Sequence, residues 1–335
     1  LHIARAREVF GFDLTEAPAM AVFDPRGDLL ASVELDLPEP MLRTALGAEL
    51  PARARIAAAE ALSKRPGRRN LEMLARSLLE DGSWCVQAEV AGALGRINSH
   101  GARDALLAGL DLTHPKARRA VVTALGSFSD PTVAQALAAR LQAGDASYLV
   151  EGELARSLGK TRQPLALAAL KAAIDRPSWN ETIRVGVFDG LAALQDPAAI
   201  DLVAAGLARH QDILVRCAAI RCLTAFYSAP ELALRALEPW LNDDAFRFQL
   251  TLAAHLEQLA DRRALSALRR LVSQTANGRV RRRGREAIRR LADALGTGRA
   301  TDDLRNQLDT LRQGQRDLLD RLDRHLQRTG GRDEG

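Results

Sequence analysis

One pattern of apolar positions recurs eight times along the chain. In each copy an apolar residue, usually followed by Arg, precedes small or apolar residues four, seven and eight positions later. These positions lie on one face of an α-helix, because the helix turns once every 3.6 residues. The copies begin at Ala54, Val86, Ala117, Val150, Ile183, Val215, Phe246 and Val280. Their intervals of 32, 31, 33, 33, 32, 31 and 34 residues indicate an internal repeat array.

A second apolar segment with helical spacing follows several copies after a short breaker. Examples are TVAQALAARL, AAIDLVAAGL and RALSALRRL. The first two segments follow Asp130–Pro131 and Asp196–Pro197, and this pair suits a helix start because Asp can cap the helix and Pro fits its first turn. Each repeat is therefore predicted to be two antiparallel helices. One hairpin cannot bury both of its faces, so the hairpins are expected to stack into an all-α solenoid over residues 41–296.

Both ends of the chain depart from the repeat. Residues 1–40 are predicted to be a β segment, because AMAVFD and DLLASVELDL are strand-like runs on either side of a turn at PRG. Two or three strands are not stable alone, so they are expected to pair with a sheet outside this chain or to lie against the first helices.

A leucine heptad pattern predicts a long, coiled-coil-like helix over residues 301–328. That helix either forms a homodimer or folds back and caps the last repeat. Residues 329–335 are expected to be a disordered tail.

The net charge argues against broad nucleic-acid binding. The formal charge is +5, while residues 279–290 alone carry seven arginines and one glutamate, or +6, so the remainder sums to −1. A solenoid that binds nucleic acid would spread basic residues over one surface. The chain is 47% hydrophobic but only 4% aromatic, which indicates a core of Ala, Leu, Val and Ile and suits closely packed helices.

Six residues are predicted to contact a partner. Trp84 and Trp179 each precede the first helix of a repeat, where an aromatic ring either packs between repeats or contacts a substrate or another domain. In GRVRRRGREAIRR, residues 278–290, arginines fill the turns between core positions, so they form a solvated or salt-bridged helix face, dock an acidic partner or domain, or bind nucleic acid. The six predicted residues are Trp84, Trp179, Arg281, Arg282, Arg283 and Arg285.

The cysteine content and the hydropathy of the chain indicate its cellular compartment. Cys85, Cys217 and Cys222 are too few and too poorly spaced for a disulfide framework or a zinc site, so a reducing, cytoplasmic compartment is expected. No uncharged run exceeds about nine residues, against the ~20 apolar residues that span a bilayer. Contact with a membrane is therefore not expected.

The period and the apolar-Arg motif resemble HEAT repeats in their short bacterial form, over roughly residues 50–295. The stretch VFDPRGDLLASVELDLPEPMLRTAL further resembles a junction in bacterial metallopeptidases of the aminopeptidase N family, where the end of a β-sandwich domain runs into a C-terminal HEAT array. DGSWCVQAEVAGALG and RPSWNETIRVGVFDGL are similar to the repeat starts of that array, and GRVRRRGREAIRRL is similar to its end.

This resemblance implies a non-catalytic C-terminal domain that covers the active-site cleft of a zinc aminopeptidase. Its partners would be the catalytic domain of the same polypeptide and, in the full-length protein, the peptide substrate. The chain contains neither H-E-x-x-H nor Gly-x-Met-Glu-Asn, so no catalytic residue, metal ligand or cofactor is predicted in it, and zinc is expected in a catalytic domain outside this chain. The start at Leu1 agrees with a piece of a longer enzyme.

Three other functions stay open. The chain could be a stand-alone HEAT-repeat scaffold for protein interactions, a HEAT-like DNA-binding protein, or a lyase or maturation factor for tetrapyrrole attachment. A DNA-binding function would need a basic surface rather than one terminal run. A lyase function has no supporting cluster of His, Asp or Cys in the sequence.

Overall fold

The computed structural model describes residues 6–25, 27–30, 36–65 and 67–296, together with residues 308, 311 and 315. These residues form α-helices joined by short loops and 3₁₀ turns, and no strand occurs among them. The α-helices are α1 (Glu39–Gly47), α2 (Ala52–Ser63), α3 (Arg68–Glu80), α4 (Trp84–Ile97), α5 (His100–Ala108), α6 (Pro115–Leu125), α7 (Pro131–Ala143), α8 (Tyr148–Lys160), α9 (Leu165–Ala173), α10 (Thr182–Leu194), α11 (Ile200–Ala205), α12 (Ile213–Thr224), α13 (Pro230–Leu237), α14 (Phe246–His255), α15 (Arg262–Gln274) and α16 (Gly278–Ala294). The predicted all-α solenoid is confirmed.

The chain divides into two compact units, residues 1–196 and 197–335. In the first unit, helices α2, α4, α6, α8 and α10 pack side by side and form a first-helix layer. Helices α3, α5, α7 and α9 form the second layer, and α1 packs on α2 and α3. In the second unit, α12, α14 and α16 form the first-helix layer, with α11, α13 and α15 as second helices.

The apolar stripes of the repeats form the core. Val86, Val90 and Leu94 of α4 are completely buried, and they occupy positions 0, 4 and 8 of the second copy. The predicted cap is also present, because the Asp130 carboxylate accepts the Thr132 N–H at 2.7 Å, and α7 begins at Pro131. All eight copies of the pattern lie on helices, namely the eight even-numbered ones.

A second residue of the pattern links several first helices to the next loop. Arg118 follows the first core position of α6, and its guanidinium donates to both carboxylate oxygens of Asp145 at 2.7 and 2.9 Å. The same guanidinium donates to the Leu112 carbonyl at 2.8 Å, in the loop before α6. Arg216 of the second unit repeats this arrangement with Asp243 at 2.6 Å and the Leu207 carbonyl at 2.8 Å. These contacts define a ladder whose rungs link a first helix to the loops at both of its sides.

In α8 and α14 other side chains replace the Arg–Asp pair. In α8 the rung residue is Glu151, which pairs with Arg176 about one repeat later, so the two charges are exchanged. In α14 the rung residue is Gln249, which donates to the Asp243 carbonyl at 2.6 Å and accepts from the Thr275 hydroxyl at 2.9 Å. In both helices the rung residue still links the helix to a loop, although a different pair of side chains forms the link.

The α14 rung corrects the phase of the seventh copy. The pattern predicts Phe246 as its first core position and Arg247 as its recurring arginine, but both residues are exposed. The buried stripe of α14 instead begins at Phe248 and continues through Leu252 to Leu256. With Phe248 as the start, the last two intervals become 33 and 32 residues, and the repeat period is more regular than the sequence pattern indicates.

Glycines bring α8 and α10 into backbone contact. A Cβ atom added to Gly159 would lie 1.9 Å from the Gly190 carbonyl oxygen, and one added to Gly186 would lie 2.3 Å from the Gly152 oxygen. No larger side chain fits at these positions unless the helices separate. The small residues of the first-helix layer therefore set the spacing between its helices.

The β segment predicted over residues 1–40 is wrong where the structure describes it, because residues 19–24 form no strand. Phe12 and Leu14 are exposed, and no neighbouring strand offers the backbone hydrogen bonds that a strand requires. The turn at PRG does form, since the Asp24 carboxylate accepts the N–H groups of Asp28 and Leu29 at 2.9 and 3.0 Å. Most of the second predicted strand lies outside the described residues.

Little of the predicted C-terminal helix is described. Leu308, Leu311 and Gln315 are helical and exposed, and the rest of residues 301–328 and the tail 329–335 lie outside the described residues. Homodimer formation through this helix stays a prediction. Over the part of the chain that the structure describes, no helix is both long enough and apolar enough to cross a membrane.

The ladder predicts an acid-sensitive stability. Burial alone would raise the pKa of the Asp145 carboxyl, but hydrogen bonds from Arg118 and the Ser147 N–H, with the charges of Arg118 and Arg140, lower that pKa below its ordinary value. A carboxyl whose pKa is lowered by folding stabilises the fold above its unfolded pKa, near 4, and loses that effect as the pH falls through the folded pKa.

We therefore expect Asp145→Asn to reduce the free energy of unfolding by about 2–3 kcal/mol at pH 7, because it leaves the Arg118 guanidinium without its carboxylate and removes one of the two carboxylates near Arg140. The difference from the wild type should shrink below about pH 4. Urea unfolding followed by circular dichroism between about pH 3 and pH 8 measures it. Asp104→Asn is the matched control, because that carboxylate is exposed and should matter little. A difference that is independent of pH would contradict the assignment.

Candidate functional site

A groove opens between α4 and α6 in the first unit. Its volume is about 720 Å³, and it follows both helices on the side away from the core. The lining residues are Trp84, Ala88, Gly92, Gly95, Arg96, Lys116, Arg119, Ala120, Thr123, Ala124 and Ser127. We call this feature the α4–α6 groove.

The floor of the α4–α6 groove is made of small residues. Ala88 and Gly92 of α4 face Ala120 of α6, and these positions lie roughly opposite the buried stripes of the two helices. The helices approach closely at Gly95, where an added Cβ would lie 3.0 Å from the Ala124 Cβ. The side chains that let the helices pack closely therefore also leave space above them.

The α4–α6 groove carries an unbalanced positive charge. Arg96, Lys116 and Arg119 are exposed, and none of them forms an ion pair with another described residue. No acidic residue lines the groove. On the neighbouring helix α8 the situation differs, because Arg156 is neutralised by Glu153 at 2.6 Å and Asp189 at 3.0 Å. The excess charge therefore belongs to α4 and α6 and not to α8.

Trp84 forms one end of the α4–α6 groove, as part of a three-residue cluster. The His114 ring stacks on the Trp84 ring with centroids 4.9 Å apart and an interplanar angle of 11°. The Lys116 ammonium lies 4.5 Å from the same centroid, a cation–π distance. His114 is held in place as the cap of α6, where its Nδ1 accepts the Lys116 N–H at 3.2 Å. The structure therefore places one predicted partner-binding residue, Trp84, in the groove.

Trp179, the second predicted aromatic residue, lies elsewhere. Its side chain is 68% exposed, and it begins a short turn in which Asn180 and Glu181 both have a positive φ, of 50° and 56°. Helices α6 and α8 lie between Trp179 and Trp84 in the layer. The structure does not bring the two tryptophans together.

The arginine run lies on α16 in the second unit, and most of it has partners there. Arg281 donates to the Thr275 carbonyl at 2.9 Å. Arg282 pairs with Glu286 at 3.1 Å, and Arg283 pairs with Glu257 at 3.3 Å. Arg285 is exposed. Two of the four predicted arginines, Arg282 and Arg283, are therefore salt-bridged, and Arg281 is hydrogen-bonded to the backbone.

The described residues contain no group of three His, Cys, Asp or Glu side chains that could hold a metal ion. His255, which begins HLEQL, is partly buried at the end of α14. Burial lowers its pKa, a hydrogen bond to the Gln258 side chain opposes this shift, and the nearby charges of Arg221 and Arg283 support it. This environment favours the neutral imidazole.

The sequence analysis missed the three bases and the small floor of the α4–α6 groove. A signal was present, because these residues occupy the face opposite the apolar stripe in two successive copies. That signal does not distinguish a basic residue without an ion pair from one that pairs with an acidic residue. Arg96 and Arg156 both lie outside the apolar stripes of α4 and α8, and the folded structure shows that Arg156 has acidic neighbours whereas Arg96 forms no ion pair with another described residue.

Comparison with known proteins agrees with this architecture. The family model for HEAT repeats matches residues 71–151 and 112–185, which include α4 and α6. No curated protein sequence gives a significant match.

Solved structures with a similar chain path include a mutant of Kap121p, with 15% identity, 81% of this chain and 35% of that chain covered, and a TM-score of 0.50. The Escherichia coli protein YibA has 17% identity, covers 76% of this chain and 93% of its own, and has a TM-score of 0.47. The complex of CpcE and CpcF of phycocyanin lyase from Nostoc has 20% identity, covers 79% and 98%, and has a TM-score of 0.43. At these identities the likeness concerns the fold alone.

Two glycine substitutions test whether the floor of the α4–α6 groove is open. A Cβ at Gly92 would meet only the Arg96 guanidinium at 3.6 Å, so Gly92→Ala should raise the free energy of unfolding by about 0.5–1 kcal/mol through helix propensity. Gly159→Ala should lower it by about 1–3 kcal/mol, because its Cβ would strike the backbone of α10. Urea unfolding compares the two variants. Destabilisation by Gly92→Ala would show that the groove is filled.

Proposed function

We propose that this chain is a protein-interaction scaffold that binds a partner protein in the α4–α6 groove. HEAT-repeat hairpins stack into extended surfaces, and such surfaces are suited to binding another chain. The observation that carries the proposal is the combination of three unpaired bases with a floor of Ala and Gly. A fold alone would not support this function, because one fold hosts many functions.

The hydroxyl groups of the α4–α6 groove favour binding over catalysis. The Thr123 hydroxyl donates to the Arg119 carbonyl at 2.9 Å, and the Ser127 hydroxyl donates to the Ala124 carbonyl at 2.7 Å. Both hydroxyls are thus used within their own helical segment, and neither is held by a side-chain base that would activate it as a nucleophile. The groove offers positive charge, an aromatic edge and space.

A photo-crosslinking experiment tests the scaffold function. With p-benzoyl-phenylalanine at Thr123, on the groove, we expect a discrete adduct with a partner protein in the source cells. The same residue at Gln135, which is exposed on α7 of the second layer, should give none. Adding Gly92→Leu, which fills the groove, should abolish the Thr123 adduct. Equal crosslinking at both positions would contradict the proposal.

The resemblance to the aminopeptidase N family supports a second, more specific candidate. Under it, this solenoid is the non-catalytic C-terminal domain of a cytoplasmic zinc aminopeptidase, and it contacts the catalytic domain and the peptide substrate. One observation favours it: the FDP segment, which carries the resemblance, forms a turn against the first repeat. Residues 21–24 line a small cavity with Leu42 of α1 and Ala54 of α2.

Zinc content and activity test this second candidate. The purified chain should contain no stoichiometric zinc and should not hydrolyse aminoacyl-anilides, because the family's zinc motif would lie in the catalytic domain. Metal analysis by mass spectrometry and a chromogenic assay measure the two properties. Zinc-dependent hydrolysis by the pure chain would refute it. Without hydrolysis, sequencing the gene upstream of Leu1 decides the candidate through the presence of H-E-x-x-H.

A further inference from the structure

We infer that the occupant of the α4–α6 groove is an extended, acidic segment of a partner protein, with two acidic points about five residues apart. This inference rests on the proposed scaffold function and adds the chemistry of the partner. It follows from three properties of the groove: the sign of its charge, the positions of its bases, and its size.

The bases lie at two levels of the α4–α6 groove. Lys116 and Arg119 belong to the first turns of α6, next to Trp84 at the start of α4, whereas Arg96 belongs to the last turn of α4. From Trp84 an α-helix rises about 12 Å to Gly92, which the Arg96 guanidinium approaches, and about 18 Å to Arg96 itself, at 1.5 Å per residue. An extended chain covers these distances in about four to six residues, at 3.3 Å per residue. Two acidic points with this separation would reach both levels.

The width of the α4–α6 groove favours an extended chain over a helix. Because α4 and α6 approach closely at Gly95, the space between them is narrow compared with a helix, which is about 10–12 Å across with its side chains. An extended segment can instead lie along Ala88, Gly92 and Ala120, because these residues present little more than backbone. Small side chains between the two acidic points would fit this floor.

The Trp84 cluster disfavours single-stranded nucleic acid as the occupant. Proteins that bind single strands stack bases on free aromatic faces. The Trp84 ring already contacts both the His114 ring and the Lys116 ammonium. In this cluster Trp84 holds the basic side chain of Lys116 at the entrance of the groove. Its ring does not present a platform for a nucleobase.

Fluorescence anisotropy with the full chain tests the inference. The probe is a fluorescein-labelled peptide GDEAGADEG, which has two acidic pairs five residues apart. The control peptide GAGDEDEAG has the same composition and charge, with all four acids adjacent. We expect the spaced peptide to bind at least about fivefold more tightly, because only it reaches both levels of bases. Equal affinity for the two peptides would overturn the inferred spacing.

Charge variants locate the binding site. Arg96→Glu combined with Arg119→Glu should weaken binding of the spaced peptide at least about tenfold. The matched control is Arg279→Glu combined with Arg289→Glu, which makes the same change in charge at two exposed positions of α16 and should leave the affinity within about twofold. A larger loss in the α16 variant would assign the peptide to the arginine run and overturn the inference.

A steric variant separates contact from general attraction. Gly92→Leu keeps every charge and places a large side chain above the floor, so it should abolish binding while circular dichroism and unfolding remain those of a folded protein. Binding that survives Gly92→Leu would show that the peptide does not enter the groove. A labelled oligothymidylate that binds more tightly than the peptides and weakens in the groove variant would identify nucleic acid as the occupant.

The outcomes distinguish this inference from the scaffold function on which it rests. If neither peptide binds but the Thr123 crosslink persists and is lost with Gly92→Leu, the scaffold function stands and the acidic partner is wrong. If the crosslink fails as well, both are wrong.

Discussion

The ladder between first helices and loops is the constraint on which the repeat depends. Every hairpin has loops whose carbonyl and N–H groups have no helical partner, and buried backbone groups need hydrogen bonds. Arg118 and Arg216 each bind a carbonyl on one side and a carboxylate on the other. The same carboxylates also accept an N–H at the start of the following helix, as Asp145 does for Ser147. One side-chain pair thus fixes two loops, and any change in loop length would break it. Where the pair is present, this requirement favours a constant repeat length.

The small residues of the first-helix layer also determine the shape of its surface. Because aromatic residues are scarce, the first-helix layer packs through Ala and Gly, and its helices lie close together. At α8 and α10 the approach ends in backbone contact and leaves a closed surface. At α4 and α6 the approach is less extreme, and Gly92 lies open above the contact at Gly95. The same composition therefore produces a rigid junction at one place and a groove two helices away.

The sequence was sufficient for the architecture because repetition averages out local ambiguity. All eight predicted first helices exist, and Asp130 caps α7 as expected. Individual copies were less certain. In FRFQLTLAAHLEQL, apolar residues occur at both Phe246 and Phe248, so two stripes fit helical spacing, and only burial of Phe248 decides between them. The first predicted N-terminal strand was wrong for a related reason, while most of the second lies outside the described residues. Alternating apolar residues predict a strand only where a neighbouring strand completes its hydrogen bonds, and the described residues contain none.

The functional surface was harder to predict because a sequence does not show which of its charged residues stay unpaired in the folded protein. The arginine run on α16 is the strongest basic signal in the chain, yet Arg282 and Arg283 are neutralised by Glu286 and Glu257. The three bases of the α4–α6 groove are scattered over two repeats, and their importance comes from the acids that are missing around them. An exposed base with an acidic neighbour contributes little to the field that a partner meets, whereas a few unpaired bases above a low floor act together. For repeat proteins of this kind, the informative property is which exposed charges have a partner in a neighbouring repeat. That property becomes visible only when the ladder has fixed how the repeats stack.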